Sequence, residues 1–374
     1  MNRVRASQLE ATVGRIYEAA VDPRLWGTVL DEIADAIGAG SAALFGSTVK
    51  PSIGFFNSPG GDEFFHWLAG EGQYVHNPRP ERAMRLSPPR RAITDGHLFT
   101  DWETAHIPFN VEMTRRGFHR EAGIVGFVDG APLIFSCQRS LGEERFGPAE
   151  LEAIEAIFPH IERAAHIAAR FSRERTDGML DTFERMACGG ILLGVDGRVV
   201  RMNAHAEALV GVGLNLIAGR LSAIDKIADE DLQRLIREVG PGGYSLKRHI
   251  DAPFAPLPRP GGGPLAVYAM PLIAETPDLF QRANAILVIV DPDANREVRS
   301  DFLARAYRLT PAELRLANAL AKGSDVKEIS ELFSISLHTA RTQLKSLMAK
   351  TGTSRQSDLI ALLIKASFGP VQCR

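Results

Sequence analysis

Near the carboxyl end of this 374-residue chain, His338, Arg341, Thr342 and Lys345 recur at steps of three and four. On a helix that spacing gathers them on one face. Arg and Lys have the reach and charge to meet phosphates or the acceptor atoms on base edges, and Thr and His add shorter hydrogen-bonding groups. Ala340, Leu344 and Leu347 fall on the other side. The pattern predicts a helix packed on a small core with a polar, cationic face free to enter a groove of duplex DNA. Lys327 and Lys350 suit phosphates better than bases. From Tyr307 onward there are ten Lys or Arg against five Asp or Glu, a local charge of +5 in a chain of formal charge -2, which leaves -7 for the rest. A basic end on an acidic body fits a nucleic-acid-binding terminus.

Several short elements must hold that face in place. Thr310 is a good N-cap with Pro311 at the first helical position. Leu314, Ala317, Leu320 and Ala321 form the apolar side of a helix that stops at Lys322-Gly323, and Val326, Ile329, Leu332 and Phe333 form that of a second. The turn Ser334-Ile335-Ser336 leads to a third helix, Leu337 to Thr351, closed by Gly352. A turn this short sets two helices at a steep angle, so the later one can lie in the major groove while the earlier one braces it. Ser354 is placed to cap a last helix whose Leu359, Ile360, Leu362 and Leu363 make an apolar face wider than one core needs; the surplus fits a dimer seam.

Leu309-Thr310-Pro311-Ala312-Glu313, then Gly323, Lys327-Glu328-Ile329, His338-Thr339 and Lys350-Thr351-Gly352 closely resemble the LuxR-type helix-turn-helix of bacterial transcription regulators. The resemblance covers roughly the last sixth of the chain. It implies that Arg341, Thr342 and Lys345 face bases and that Thr339, Lys327 and Lys350 face the DNA backbone. Three positions depart from the family pattern: Ala340 where Val is usual, Gln343 for His, and Thr351 for Leu.

The rest of the chain reads as multidomain α+β, two α+β sensory units ahead of a four-helix terminus. Expected bounds are 1–175 for a first unit ending in a long connecting helix, 176–295 for a second, and 296–374 for a linker helix and the DNA-binding unit. In the first, Ile16 to Ile37 has helical periodicity broken at Asp22-Pro23 and ended by Gly38. Ser41 to Phe45 and Ile53 to Phe56 read as strands, Glu63 to Tyr74 and Glu112 to Phe118 as helices, and Asn77 to Arg91 as a Pro/Arg-rich loop. Asp129-Gly130 is a hairpin turn between Gly123–Val128 and Pro132–Ser136. Leu151, Ile154, Phe158, Ile161, Ala165 and Ala168 form a heptad-like stripe on a helix from Pro148 to Phe171, suited either to the unit's own sheet or to a coiled coil. Arg173 to Gly178 marks a boundary. This unit is similar to GAF-like sensory folds. Trp67, Tyr74 and Asn77-Pro78 also stand in an order similar to that of the acyl-homoserine-lactone-binding domains of quorum sensors, though aromatic core packing explains them as well.

The second unit resembles a PAS domain: a strand Gly190–Val195, an Asp196-Gly197 turn, a returning strand Val199–Met202, and a helix from Ala204 capped by Asn203. A helix from Asp229 to Val239 follows. Tyr244–Ile250, Leu265–Ile273 and Ile286–Val290 read as strands, with a Pro/Gly-rich loop over Pro256–Pro264. Such domains hold haem, flavin or small ligands, or only transmit; His205 would be the haem ligand and Cys188 a reactive thiol on the first reading, a surface His and a small buried Cys on the other.

Composition excludes several classes. No run of about 18 apolar residues is present, so a membrane span is not expected. The amino terminus lacks a signal-peptide core, and Cys137, Cys188 and Cys373 lack metal spacing, which points to the cytoplasm. Gly-x-Ser-x-Gly, Walker and His-Glu-x-x-His motifs are missing, and Gly211-Val212-Gly213 is not a dinucleotide loop. The expectation is a non-enzymatic, homodimeric regulator that binds double-stranded DNA, needs no cofactor, and leaves room for a small-molecule effector in the upstream units. The alternatives are an acyl-homoserine-lactone-type receptor and a haem or flavin sensor.

Overall fold

Asp22-Pro23 divides the first helical stretch, as the periodicity predicts. In the computed structural model, α1 (Ala6–Val21) gives way to a single 3-10 turn (Pro23–Leu25) capped by the Asp22 carboxylate, and α2 (Trp26–Ile37) ends at Gly38 with φ of 75°. The structure describes residues 6–46, 54–70, 76–86, 90–140, 142–240, 254–272, 279–280, 283–293 and 300–367. Five strands follow: β1 (Ser41–Gly46), β2 (Gly54–Asn57), β3 (Ile93–Thr94), β4 (Arg120–Val128) and β5 (Ala131–Arg139). They pair antiparallel in the order β2-β1-β5-β4-β3. Asp129 and Gly130, at φ of 50° and 78°, make the tight β4–β5 turn.

Strand alternation splits this sheet between two cores. Ala42, Leu44, Ile124 and Phe135 face Ile16 of α1, Trp26 and Leu30 of α2, and Ile154 and Phe158 of α8 (Pro148–Arg185). Ala43 and Phe45 face the opposite way, toward Phe64, Phe65 and Leu68 of α3 (Asp62–Gly70) and Phe109 and Met113 of α7 (Pro108–Arg115). Three layers result, helices on each side of one sheet. The stretch expected as a Pro/Arg-rich loop contains α4 (Arg79–Leu86). Two short helices, α5 (Asp95–Leu98) and α6 (Asp101–His106), precede α7, which starts four residues before Glu112. Ile53 and Tyr74 lie outside the described residues.

The heptad-like stripe on α8 is spent inward. Ile154, Phe158, Ile161, Ala165 and Ala168 are all buried in the first core, which leaves no coiled-coil seam there. The helix expected to end at Phe171 continues through Arg173 to Gly178, because α8 runs for 38 residues to Arg185. Its polar surface is matched on both sides: Arg173 pairs with Asp129 at 3.2 Å and Asp177 pairs with Arg201. Leu180 and Phe183 then cover Cys188, Leu192, Ile286 and Val288 of the next sheet.

That sheet joins β6 (Gly189–Leu193), β7 (Val199–Met202), β10 (Phe254–Arg259), β11 (Gly262–Pro271) and β12 (Ala285–Val290) in the order β10-β11-β12-β6-β7. Counted as the first to fifth strands of their own unit, they repeat the order of the first sheet. Asn203 caps α9 (Ala204–Leu209) as expected. The hairpin β8 (Leu214–Ile217) and β9 (Arg220–Ala223) was not anticipated, and α10 (Lys226–Glu238) follows it. The expected Pro256–Pro264 loop is instead the end of β10, a tight turn and the start of β11; Pro256 and Pro258 lie on β10, an edge strand, where a proline's missing N–H costs no ladder bond. Tyr244–Ile250 lies outside the described residues. From the segment between β11 and β12, Phe280 enters the first core, with ring centroids 6.1 Å from both Trp26 and Phe56.

The terminal unit is α11 (Ser300–Tyr307), α12 (Pro311–Ala321), α13 (Val326–Leu332), α14 (Leu337–Thr351) and α15 (Gln356–Ser367) around Leu316, Leu320, Ile329, Leu347, Leu359 and Leu363. Leu362 also packs on this core, so the apolar surplus read as a dimer seam is mostly used within the unit. Because α15 starts at Gln356, the residue before it is Arg355 and not Ser354. Among the described residues no helix is long and apolar enough to cross a membrane.

Candidate DNA-binding face and a buried cavity

A chain of caps fixes the angle between α13 and α14. Asp325 accepts from the N–H groups of Lys327 and Glu328 at 2.8 Å each, and the Glu328 carboxylate accepts from the Asp325 N–H at 2.9 Å. Ser334, at φ of 52°, ends α13, with Ile335 N–H donating to the Ser330 carbonyl at 3.0 Å. Two residues later the Ser336 hydroxyl accepts from the Thr339 N–H and starts α14. Ala340 and Leu347 are fully buried, whereas His338, Thr339, Arg341, Thr342 and Lys345 are exposed together. Thr342 donates its hydroxyl to the His338 carbonyl at 2.9 Å, which fixes its rotamer. Among the described residues none forms an ion pair with Arg341, Lys345 or Lys327. Lys327 is exposed on α13. The described residues therefore leave these three cations unneutralised, the electrostatic condition for a phosphate contact.

Lys350 is different. Its ammonium lies 2.7 Å from the carboxylate of Glu313, a residue only 5% exposed, and donates to the Arg308 carbonyl at 3.2 Å. Glu313 also accepts from the Thr310 N–H and hydroxyl and, at 2.7 Å, from the Ser346 hydroxyl. Burial pushes this carboxyl up, but Lys350, Thr310 and Ser346 together outweigh it and hold the group down at about 2. Lys350, itself exposed on α14, thus ties α12 to α14 through a buried carboxylate.

The second feature is a cavity of about 480 Å³ between the first sheet and its outer helical layer. Phe45, Phe64, Phe65, Leu68, Phe109 and Met113 supply apolar wall. Arg79, Asp95 and Glu121 supply charge. Arg79 Nε donates to Asp95 Oδ1 at 3.1 Å and lies 3.1 Å from Glu121 Oε2, while its Nη1 donates to Asn110 Oδ1 at 2.7 Å. The Glu121 N–H donates to the other Asp95 oxygen. Burial pushes the Glu121 carboxyl up to about 7; Asp95 acts in the same direction, and Arg79 and the Ser136 hydroxyl offset part of the shift. A second cavity of about 520 Å³ shares Thr94, Asp95 and Glu121 with the first.

Of the described residues singled out by sequence for such a cavity, Asn77 lines it, with its side-chain oxygen accepting from the Arg79 N–H. Trp67 packs between Phe64 and Phe109 with the Arg116 guanidinium 4.4 Å from its ring, as part of the apolar layer. Sequence reasoning missed Arg79, Asp95 and Glu121. The available signal was Glu121 itself, two positions before the expected strand and in step with Gly123 and Val125, which line the cavity with it. In the second unit, His205 sits on the surface with Nδ1 2.8 Å from Glu184, and Cys188 is buried among Leu180, Leu192 and Ile286. Neither residue lines either of the two cavities described above.

No family model and no curated protein matches the chain. Among solved structures it is similar to the N-acylhomoserine-lactone-dependent LuxR-family transcription factor CepR2 from Burkholderia cenocepacia (13% identity, 43% of this chain and 94% of that one, TM-score 0.32). It is also similar to SdiA of Escherichia coli (10% identity, 90% of each chain, TM-score 0.28) and to VqmA of Vibrio cholerae in complex with ligand and DNA (17%, 52% and 89%, TM-score 0.23). Several of the neighbours are thus LuxR-type regulators, but likeness at this level settles neither fold nor function.

Proposed function

We propose that the chain is a transcription regulator that places α14 in the major groove of DNA, under the control of its upstream units. One observation carries the reading: His338, Arg341, Thr342 and Lys345 stand exposed on the face of α14 opposite its buried Ala340 and Leu347. Arg341, Thr342 and Lys345 address base edges, and Lys327 and Thr339 address phosphates. A homodimer would present two such helices to half-sites about 10 base pairs apart. Bound sequences selected from a random duplex library supply the operator. On it, Lys345→Ala costs about 1–3 kcal/mol and relaxes sequence preference, while Lys327→Ala weakens binding to all sequences and reduces the salt slope by about one. If neither substitution changes affinity or slope, the contact assignment fails.

The apolar cavity with its buried charges favours, for the first unit, the ligand-receptor form of this reading over a purely transmitting one. Effector binding there would be felt by the DNA-binding unit through differential stabilisation of two arrangements of the chain. The PAS-like and GAF-like assignments are supported by the strand order that the two sheets share.

A further inference from the structure

The first cavity is lined by one cation, Arg79, and three carboxylates, of which Glu81 is largely exposed and paired with Arg85 while Asp95 and Glu121 point inward. Arg79 is committed to Asp95 and Asn110, and its guanidinium carbon also lies 5.1 Å from the ring centroid of Phe99 and 5.7 Å from that of Phe109. Both Asp95 oxygens are engaged, one by Arg79 and one by the Glu121 N–H. Arg79 Nε lies 3.1 Å from both Asp95 and Glu121, so one guanidinium serves two inward carboxylates and one negative charge is in surplus, shared by Glu121. Its side chain keeps 21% of its surface accessible, and that surface opens onto the two cavities. A surplus carboxylate beside an apolar chamber is costly unless it is protonated or meets a positive partner. The remainder of the chamber, bounded by Phe64, Leu68 and Met113, offers van der Waals contact to a hydrocarbon body.

We propose that this cavity binds an amphipathic amine, its protonated head against Glu121 and Asp95 and its apolar body between α3 and α7. The inference deepens the ligand-receptor reading above and rests on it. An anionic head would meet two carboxylates with one guanidinium already spent. A neutral acceptor would need Glu121 to remain protonated and so would bind with the opposite pH dependence. The charged and titratable groups around Glu121 are Arg79 and Glu81 from α4, Asp95 from α5, His119 and Arg120 from the turn before it and its own strand, Cys137 from the neighbouring β5, and Asp101 and Arg145 across the second cavity. Burial and the neighbouring Arg120 hold His119 below its ordinary value, so it is the carboxyl that titrates near neutrality.

The test uses the full chain and three probes of equal length, n-octylamine, octanamide and octanoate, followed by calorimetric titration. The amine should bind at least about tenfold more tightly than the amide, and octanoate most weakly. Amine affinity should fall about tenfold between about pH 8 and about pH 6, as Glu121 takes up a proton. Glu121→Gln should abolish the amine preference while leaving octanamide binding in place. Tighter binding of octanoate or octanamide by the wild-type chain overturns the proposal, as does the absence of binding by all three, and neither outcome depends on the variant folding. Operator binding by the same preparation keeps the two readings apart: DNA binding without amine binding removes this inference alone, and the converse removes the regulator reading alone.

Discussion

Replacing Lys350 by Ala leaves the Glu313 carboxylate buried without its cation. The magnitude follows from the carboxyl itself, held at about 2 against an ordinary 4.5. At about 1.4 kcal/mol per pH unit, the donors around it contribute about 3 kcal/mol to the folded state, net of desolvation. Lys350 is the strongest of those donors but keeps a third of its side chain accessible, so solvent screening brings its share to about 2 kcal/mol. In a unit of this size that is a loss of about 10 °C in melting temperature. The sign with pH is fixed by the depressed value: the contribution is complete above pH 4.5 and disappears as pH falls toward 2. The difference between wild type and Lys350→Ala should therefore be full at neutrality and vanish in acid. Calorimetry of the full chain gives the magnitude, and hydrogen exchange on α12 and α14 locates it. In a Glu313→Gln background, Lys350→Met should cost little, because the buried charge is gone. An unchanged melting temperature for Lys350→Ala, together with a salt slope of DNA binding reduced by about one, would refute the clamp and restore Lys350 as a phosphate contact.

Two other substitutions probe the joints of the upstream fold. The Asn203 side chain accepts from the Gly190 and Ala206 N–H groups and donates to the Cys188 carbonyl, all within a buried corner. Asn203→Ala should cost about 2–3 kcal/mol in denaturant unfolding, more than loss of a helix cap alone. Phe280→Ala should cost about 3 kcal/mol, and hydrogen exchange should rise in α2 and β2, where Trp26 and Phe56 lose a neighbour. Exchange rising only in the second unit would contradict that packing.

The sequence carried most of the fold where one rule acted alone. Asp22-Pro23, Gly38, Asp129-Gly130, Asn203 and the Thr310-Pro311 start are local devices, and each sits where its chemistry requires. Readings failed where tertiary contacts overrode local preference. Pro256 and Pro258 look like loop residues until β10 is seen to be an edge strand, with Ala255 and Leu257 turned inward. Phe171 looks like a helix end, yet Ser172 and Thr176 are buried and the helix continues because it bridges two sheets. Leu216 and Ile217 are exposed, so the β8–β9 hairpin shows little of the burial alternation by which strands are read.

Lys350 and Glu121 show why charge is the hardest feature to place from sequence. Both are ordinary charged residues by type, and spacing puts Lys350 on the same helix as the exposed Arg341, Thr342 and Lys345. What separates it from Lys345 is a residue 37 positions earlier, since Glu313 reaches back to cap α12 and in doing so leaves one carboxylate face toward α14. The capping function of Glu313 was readable in Thr310-Pro311-Ala312-Glu313; its second function, as a buried counter-charge, needs the crossing of α12 and α14. Glu121 is the converse case. Strand periodicity alone turns it inward, and only the approach of α4 and α5 supplies Arg79 and Asp95 and decides that the inward charge stays partly unpaid. A basic side chain near a groove-binding helix is therefore a contact only after its acidic neighbours in space have been counted. By the same count, Lys345, with no such neighbour among the described residues, is the position where an alanine should damage recognition without damaging the fold.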